Sequence, residues 1–142
     1  MTVATYEKEL VAREQLETAI RLFEEGHDFF SVITLAGAAD EILGKLAKEA
    51  GASSSLDSLT AAAVAIHQHL FQEPGDAKWI ADRANRARNA LKHLNTAQGR
   101  TVTLDPVEEA IDMLDRAITN YWSLTLTLTP TMDRYERSRR AI

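Results

Sequence analysis

Asp28-Phe29-Phe30-Ser31-Val32-Ile33-Thr34-Leu35-Ala36-Gly37-Ala38-Ala39-Asp40 is the stretch on which the fold turns. No charge falls between its two aspartates. Residues 28–50 read as one helix: the Asp28 carboxylate can accept from unpaired first-turn amides, and Gly51 suits the C-terminal stop. A helix apolar on all sides over this length belongs at the centre of a bundle. Its Ala36, Gly37, Ala38, Ala39 and Gly44 let a neighbour approach closely. Glycine inside a helix costs about 1 kcal/mol against alanine, so close packing is the reason to keep two.

Outward from this helix the chain reads as helix after helix. Residues 6–25 repeat apolar positions (Leu10, Leu16, Ile20, Phe23) at helical spacing and stop near Gly26. After a polar linker at 52–57, a third helix over 58–72 turns Leu59, Ala62, Ala63, Ile66 and Leu70 inward. Glu73-Pro74-Gly75-Asp76 breaks it, and Asp76 caps a fourth helix over 77–94. Residues 99–104, with Thr101, Val102 and Thr103, favour an extended shape. Asp105-Pro106 then starts a helix with a cap, a first-turn proline and two acidic residues at its positive end. Its apolar stripe is Val107, Ile111, Leu114, Ile118, Tyr121 and Trp122, and it runs towards Pro130. The fold class predicted is all-α, an up-and-down bundle of four to five helices. Residues 1–130 form the domain and 131–142 a basic tail or short frayed helix.

Composition narrows the function. The chain has 142 residues, 45% of them hydrophobic, which suits one domain with a core. Zero cysteine excludes disulfide scaffolds, thiolate metal sites and cysteine nucleophiles. Glu7, Glu9, Glu14 and Glu17 stand where a secretory leader would be apolar. The longest uncharged run, 117–132, is shorter than the roughly 20 residues of a spanning helix. A soluble, cytoplasmic protein without a membrane partner is expected.

The formal charge of −5 is unevenly spread. Residues 76–100 hold six basic side chains (Lys78, Arg83, Arg86, Arg88, Lys92, Arg100) against Asp76 and Asp82, a local excess of +4. Such asymmetry points to an anionic partner at that segment. On the fourth helix the inner face predicted from a 100° step holds Ala87, Ala90, Leu91 and Leu94. Asp82, Asn85, Asn89 and His93 form the opposite stripe, flanked by Arg86, Arg88 and Lys92. Amide and imidazole groups between guanidinium groups suit a phosphate with a proton moved beside it; the plainer reading is a solvated helix face.

Other chemistry finds less support. His27 lies at a helix end, where an imidazole complements the negative terminus. His67 and His69 are two residues apart and point away from each other. The only Glu-x-x-His pair, Glu24–His27, straddles Gly26, so no metal site or cofactor is expected. The phosphate-loop, dinucleotide, serine-hydrolase and zinc-protease fingerprints are absent.

Arg88-Asn89-Ala90-Leu91-Lys92-His93 resembles the motif of the HEPN domain family, an arginine and a histidine with four to six residues between them and a polar residue directly after the arginine. Arg86–His93 and Arg21–His27 also satisfy the spacing, the latter across a helix end. Order adds to the resemblance over residues 5–125: an opening helical hairpin turning at Gly26-His27-Asp28, the motif on the helix before last, and a closing helix with an acidic start. The family's small helical bundles include many metal-independent ribonucleases.

The resemblance implies an Arg88 that neutralises the scissile phosphate, a His93 that acts as general acid or base, and an Asn89 that orients either. Arg83, Asn85, Arg86 and Lys92 would bind the substrate around them. Five residues put Arg88 and His93 about 140° apart on a helix, a separation that the family's usual homodimer relieves by facing two motifs. An acidic residue in the second helix, Asp40 or Glu41, would support Arg88 or His93; Lys45 and Lys48 offer either carboxylate a plain surface partner. Partners implied are RNA or a nucleotide, a second copy of the chain, and a nucleotidyltransferase or antitoxin of the kind found in toxin–antitoxin and defence systems. Relatives silenced by a nucleotidyltransferase carry tyrosine two positions after the histidine; Asn95 stands there. The alternative function is a non-catalytic helical module that binds a nucleotide or protein partner, and a third is a structural dimer with solvated charges.

Overall fold

The uncharged stretch forms the first half of α2 (Phe29–Glu49), and the domain is assembled around it. The computed structural model describes residues 2–94 and 100–141; Asn95 and Gly99, both used above, lie outside them. Before α2 comes α1 (Lys8–Glu25), closed by Gly26 in the left-handed conformation at φ 79°. Asp28 caps α2 by accepting from the Ser31 amide at 3.2 Å. After it come α3 (Ser55–Phe71), α4 (Ala77–Ala84), α5 (Arg86–Lys92), α6 (Pro106–Thr125) and α7 (Pro130–Arg140). Among the described residues there are seven helices and no strand, so the chain is all-α, with more helices than the four to five expected.

The most extensive packing is α2 against α6, then α2 against α1. Leu16 and Ile20 of α1, Val32, Ile33 and Leu43 of α2, and Met113, Leu114 and Ile118 of α6 close the core. Each such side chain contributes about 1.5–3 kcal/mol on burial. The Asp105-Pro106 start is as read from sequence: the Asp105 carboxylate accepts from the Val107 and Glu108 amides at 3.0 and 3.1 Å. α6 stops earlier than expected, at Leu126 in the left-handed region, and Thr129 caps α7.

Three segments differ from the sequence reading. The basic segment after residue 130 is a docked helix: Met132 and Tyr135 are wholly inside the core. Arg134 holds Glu24 of α1 through two hydrogen bonds, at 2.7 and 3.0 Å. Tyr135 donates to Asp115 at 3.2 Å.

In α3 the expected inward stripe faces out, with Leu59, Ile66 and Leu70 exposed. Of that stripe Ala63 is partly covered, on a side it shares with Thr60, Val64 and His67, and Val64 packs on the Gly75 turn.

The expected fourth helix is two. It breaks at Asn85 (φ −98°, ψ 2°), where the Ala84 carbonyl and the Asn85 side chain both accept from Arg116 of α6. The break changes what each residue of α5 faces.

Asp115 provides a test of the α7 seat. Burial raises its carboxyl above the usual range, against the pull of Arg139 and the Tyr135 hydrogen bond. A carboxyl raised in the folded state contributes stability that is present below its unfolded pKa and lost as pH rises through the folded one. Asp115→Asn removes that loss, so its melting temperature relative to wild type should be more favourable near pH 8 than near pH 4. Parallel melting curves for both proteins would contradict this.

Candidate functional site

α5 carries the Arg-Asn-x-x-x-His segment and has two chemically different sides. Its inner side holds Ala87 and Arg88. The Arg88 side chain is only 11% exposed, so it does not flank a solvated stripe as expected. Its stem lies across α2 at Gly37, and its guanidinium donates to the Gly37 carbonyl at 3.4 Å and stands 3.6 Å from Asp40 Oδ2. Gly37 is what admits it: a Cβ there would fall 2.5 Å from Arg88 Cδ and 2.7 Å from Cγ. Gly37→Ala should therefore displace Arg88 and cost about 1–3 kcal/mol, read as a lowered midpoint in urea unfolding; an unchanged midpoint would show the stem moves freely.

Asp40 is the hub on this side. It is 4% exposed and faces two arginines. Arg116 donates to its Oδ2 at 2.7 Å. Asn120 donates to its Oδ1 at 2.9 Å and its carbonyl at 3.2 Å. The Asn120 oxygen in turn accepts from the Ser55 amide at 2.7 Å, tying down the first turn of α3. Burial raises the Asp40 carboxyl above the usual range, and the Arg116 and Arg88 charges oppose that rise.

Of the two acidic residues left open above, Asp40 meets Arg88, while Glu41 accepts from Lys45 at 3.2 Å. That hydrogen bond holds Glu41 below its usual range, with the Arg88, Lys45 and Lys92 charges adding to it. A small cleft of about 210 Å³ beside them is lined by Asp40, Glu41, Lys45, Asn85 and Arg88 among others. Asn85, expected on the outer stripe, is half-buried here and accepts from Arg116 at 2.9 Å.

The outer side of α5 borders a larger cleft of about 840 Å³. Asp82, Arg86, Asn89, Ala90, His93 and Leu94 form one wall and residues 100–103 the other. Arg86 crosses between the walls and donates to the Thr103 carbonyl at 3.2 Å. His93 is the C-cap residue of α5, in extended conformation and exposed. Ala90 and Leu94, expected to face inward, are exposed here because the helix is short and breaks at Asn85. Asp82, the one carboxylate of the cleft, is held by Lys78 at 2.6 Å. Lys92 is exposed, and Arg83 lies over the Trp79 ring, 5.5 Å from its centroid.

Arg88 and His93 thus border different clefts, whereas Arg86, Asn89 and His93 share one. The spacing accounts for this: seven residues are nearly two turns and return to the same face, five do not. The sequence reading missed Arg116 and Asn120, the polar members of the buried network. Their one signal is phase, since both fall on the same face as Met113 and Ala117. Among the described residues no group of three or more histidine and carboxylate side chains could hold a metal ion, and no helix is long and apolar enough to cross a membrane. No family model, no curated protein and no solved structure matches the chain.

Proposed function

We propose that the chain is a HEPN-like, metal-independent endoribonuclease acting on single-stranded or loop RNA, and that its reacting site is the outer cleft of α5. The observation that carries this reading is that Arg86, Asn89 and His93 line one wall of that cleft, with Arg100 on the other. Arg86 and Arg100 supply positive charge to a phosphodiester. His93 takes the proton of the ribose 2′-hydroxyl as that oxygen attacks phosphorus. The bond from phosphorus to the 5′-oxygen breaks, and the same proton passes to the leaving oxygen. The products are a 2′,3′-cyclic phosphate and a free 5′-hydroxyl, with no net proton consumed and no co-reactant. Arg86 neutralises the charge that builds on the phosphoryl oxygens. In this assignment Arg88 is a structural residue, and the homodimer implied by the family resemblance is not needed to bring arginine and histidine together.

A second reading is a non-catalytic module that binds a nucleotide or a protein partner. It is favoured by the pairing of Asp82 with Lys78, which among the described lining residues leaves proton transfer to His93. Incubation of a single-stranded RNA with the purified protein in excess EDTA separates the two. The nuclease reading expects fragments ending in cyclic phosphate; retained binding with intact RNA would establish the module instead.

A further inference from the structure

Trp79 has no role in the fold or in the cleft chemistry described above. It stands 59% exposed on α4, a helix without a single buried residue. A tryptophan that leaves most of its surface in water forgoes the burial that would stabilise it, where any polar helix former would serve. Its neighbours give it a purpose. Along α4, Asp82 and Arg83 lie three and four residues on from Trp79, on its side of the helix. Trp79 and Arg83 are exposed, and Asp82 lines the cleft together with Arg86 and His93, so α4 leads from the indole to the cleft. Arg83 reaches back over the indole at 5.5 Å, within cation–π range. Asp82, the single carboxylate on this face, is neutralised by Lys78.

We propose that this face is a track for single-stranded RNA, with Trp79 as a stacking platform for an unpaired base a few nucleotides from the phosphate at His93. The proposal rests on the nuclease reading above and adds its substrate selection. Asp82, at the cleft wall, follows Trp79 by about one turn of α4, or about 5 Å along its axis, so a strand lying in the cleft can reach the indole. Bases stack on aromatic rings regardless of identity, whereas a base inside a duplex has no free face to offer. The track therefore selects unpaired RNA without reading its sequence. Arg83 serves twice, packing over one face of the indole and meeting the intervening phosphates.

The test is fluorescence anisotropy with a labelled 2′-O-methyl uridine hexanucleotide, which binds as RNA but has no free 2′-hydroxyl to attack. Trp79→Ala should weaken binding roughly 5- to 150-fold, the usual effect of losing one stacked base. Trp79→Phe, which keeps an aromatic face, should recover most of it. Trp122→Ala, the other exposed tryptophan, should change nothing. Affinity for a blunt RNA duplex should be the same with and without Trp79. Equal hexanucleotide binding by wild type and Trp79→Ala would overturn the stacking role and leave the His93 cleft standing. No binding by wild type would overturn the RNA reading of the cleft and the track with it.

Discussion

Asp40→Asn is expected to destabilise the fold by about 3–5 kcal/mol, the cost of removing one partner from a buried ion pair. The substitution keeps the shape of the side chain, but two guanidinium groups lose the carboxylate that both face. Arg116 is 8% exposed and Arg88 11%, so neither can reach water without moving. Each also has a buried Nε without a hydrogen-bond partner, so the network has no spare acceptor to take up the charge. Asn120 loses a charged acceptor, and through Ser55 the loss reaches the start of α3. Urea unfolding followed by circular dichroism reads the effect. A midpoint within error of wild type would show that the arginines do not depend on Asp40.

His93→Ala should lower RNA cleavage by about 10²- to 10⁴-fold, the range for a lost general acid or base. The fold should not register the change, because His93 is exposed at the end of α5 and carries no packing. An open cleft offers a further check: imidazole added to the variant should restore part of the rate, as it can occupy the space left by the side chain. Full activity in His93→Ala would remove the residue from the mechanism.

How much of this was legible in sequence follows from whether the cause is local. The uncharged run in α2, the caps at Asp28, Asp76 and Asp105, and the stop at Gly26 depend on neighbouring residues and read correctly. The orientation of Arg88 does not. It depends on a carboxylate in α2, a glycine at the contact and an arginine in α6 that bonds to the chain where the preceding helix breaks at Asn85. A single helical wheel carried through that break placed Asn85 outside and Arg88 on the flank. The Arg-x-His spacing likewise could not choose between Arg86 and Arg88, since both satisfy it and only tertiary partners separate them. α3 shows the complementary failure. Periodicity points its most apolar stripe to the core, but burial follows the surfaces that α4 and α6 present, and nothing among the described residues covers Leu59, Ile66 and Leu70.

In the proposed function two arginines of one short helix do separate work, Arg88 inward for the fold and Arg86 outward for RNA. The most direct measurement is the initial rate at which Arg86→Ala cleaves a single-stranded oligoribonucleotide in excess EDTA, with its melting temperature taken alongside. A fall of about 10²- to 10³-fold, the range for losing a group that stabilises developing charge, at an unchanged melting temperature is the result expected. A wild-type rate from Arg86→Ala would contradict it.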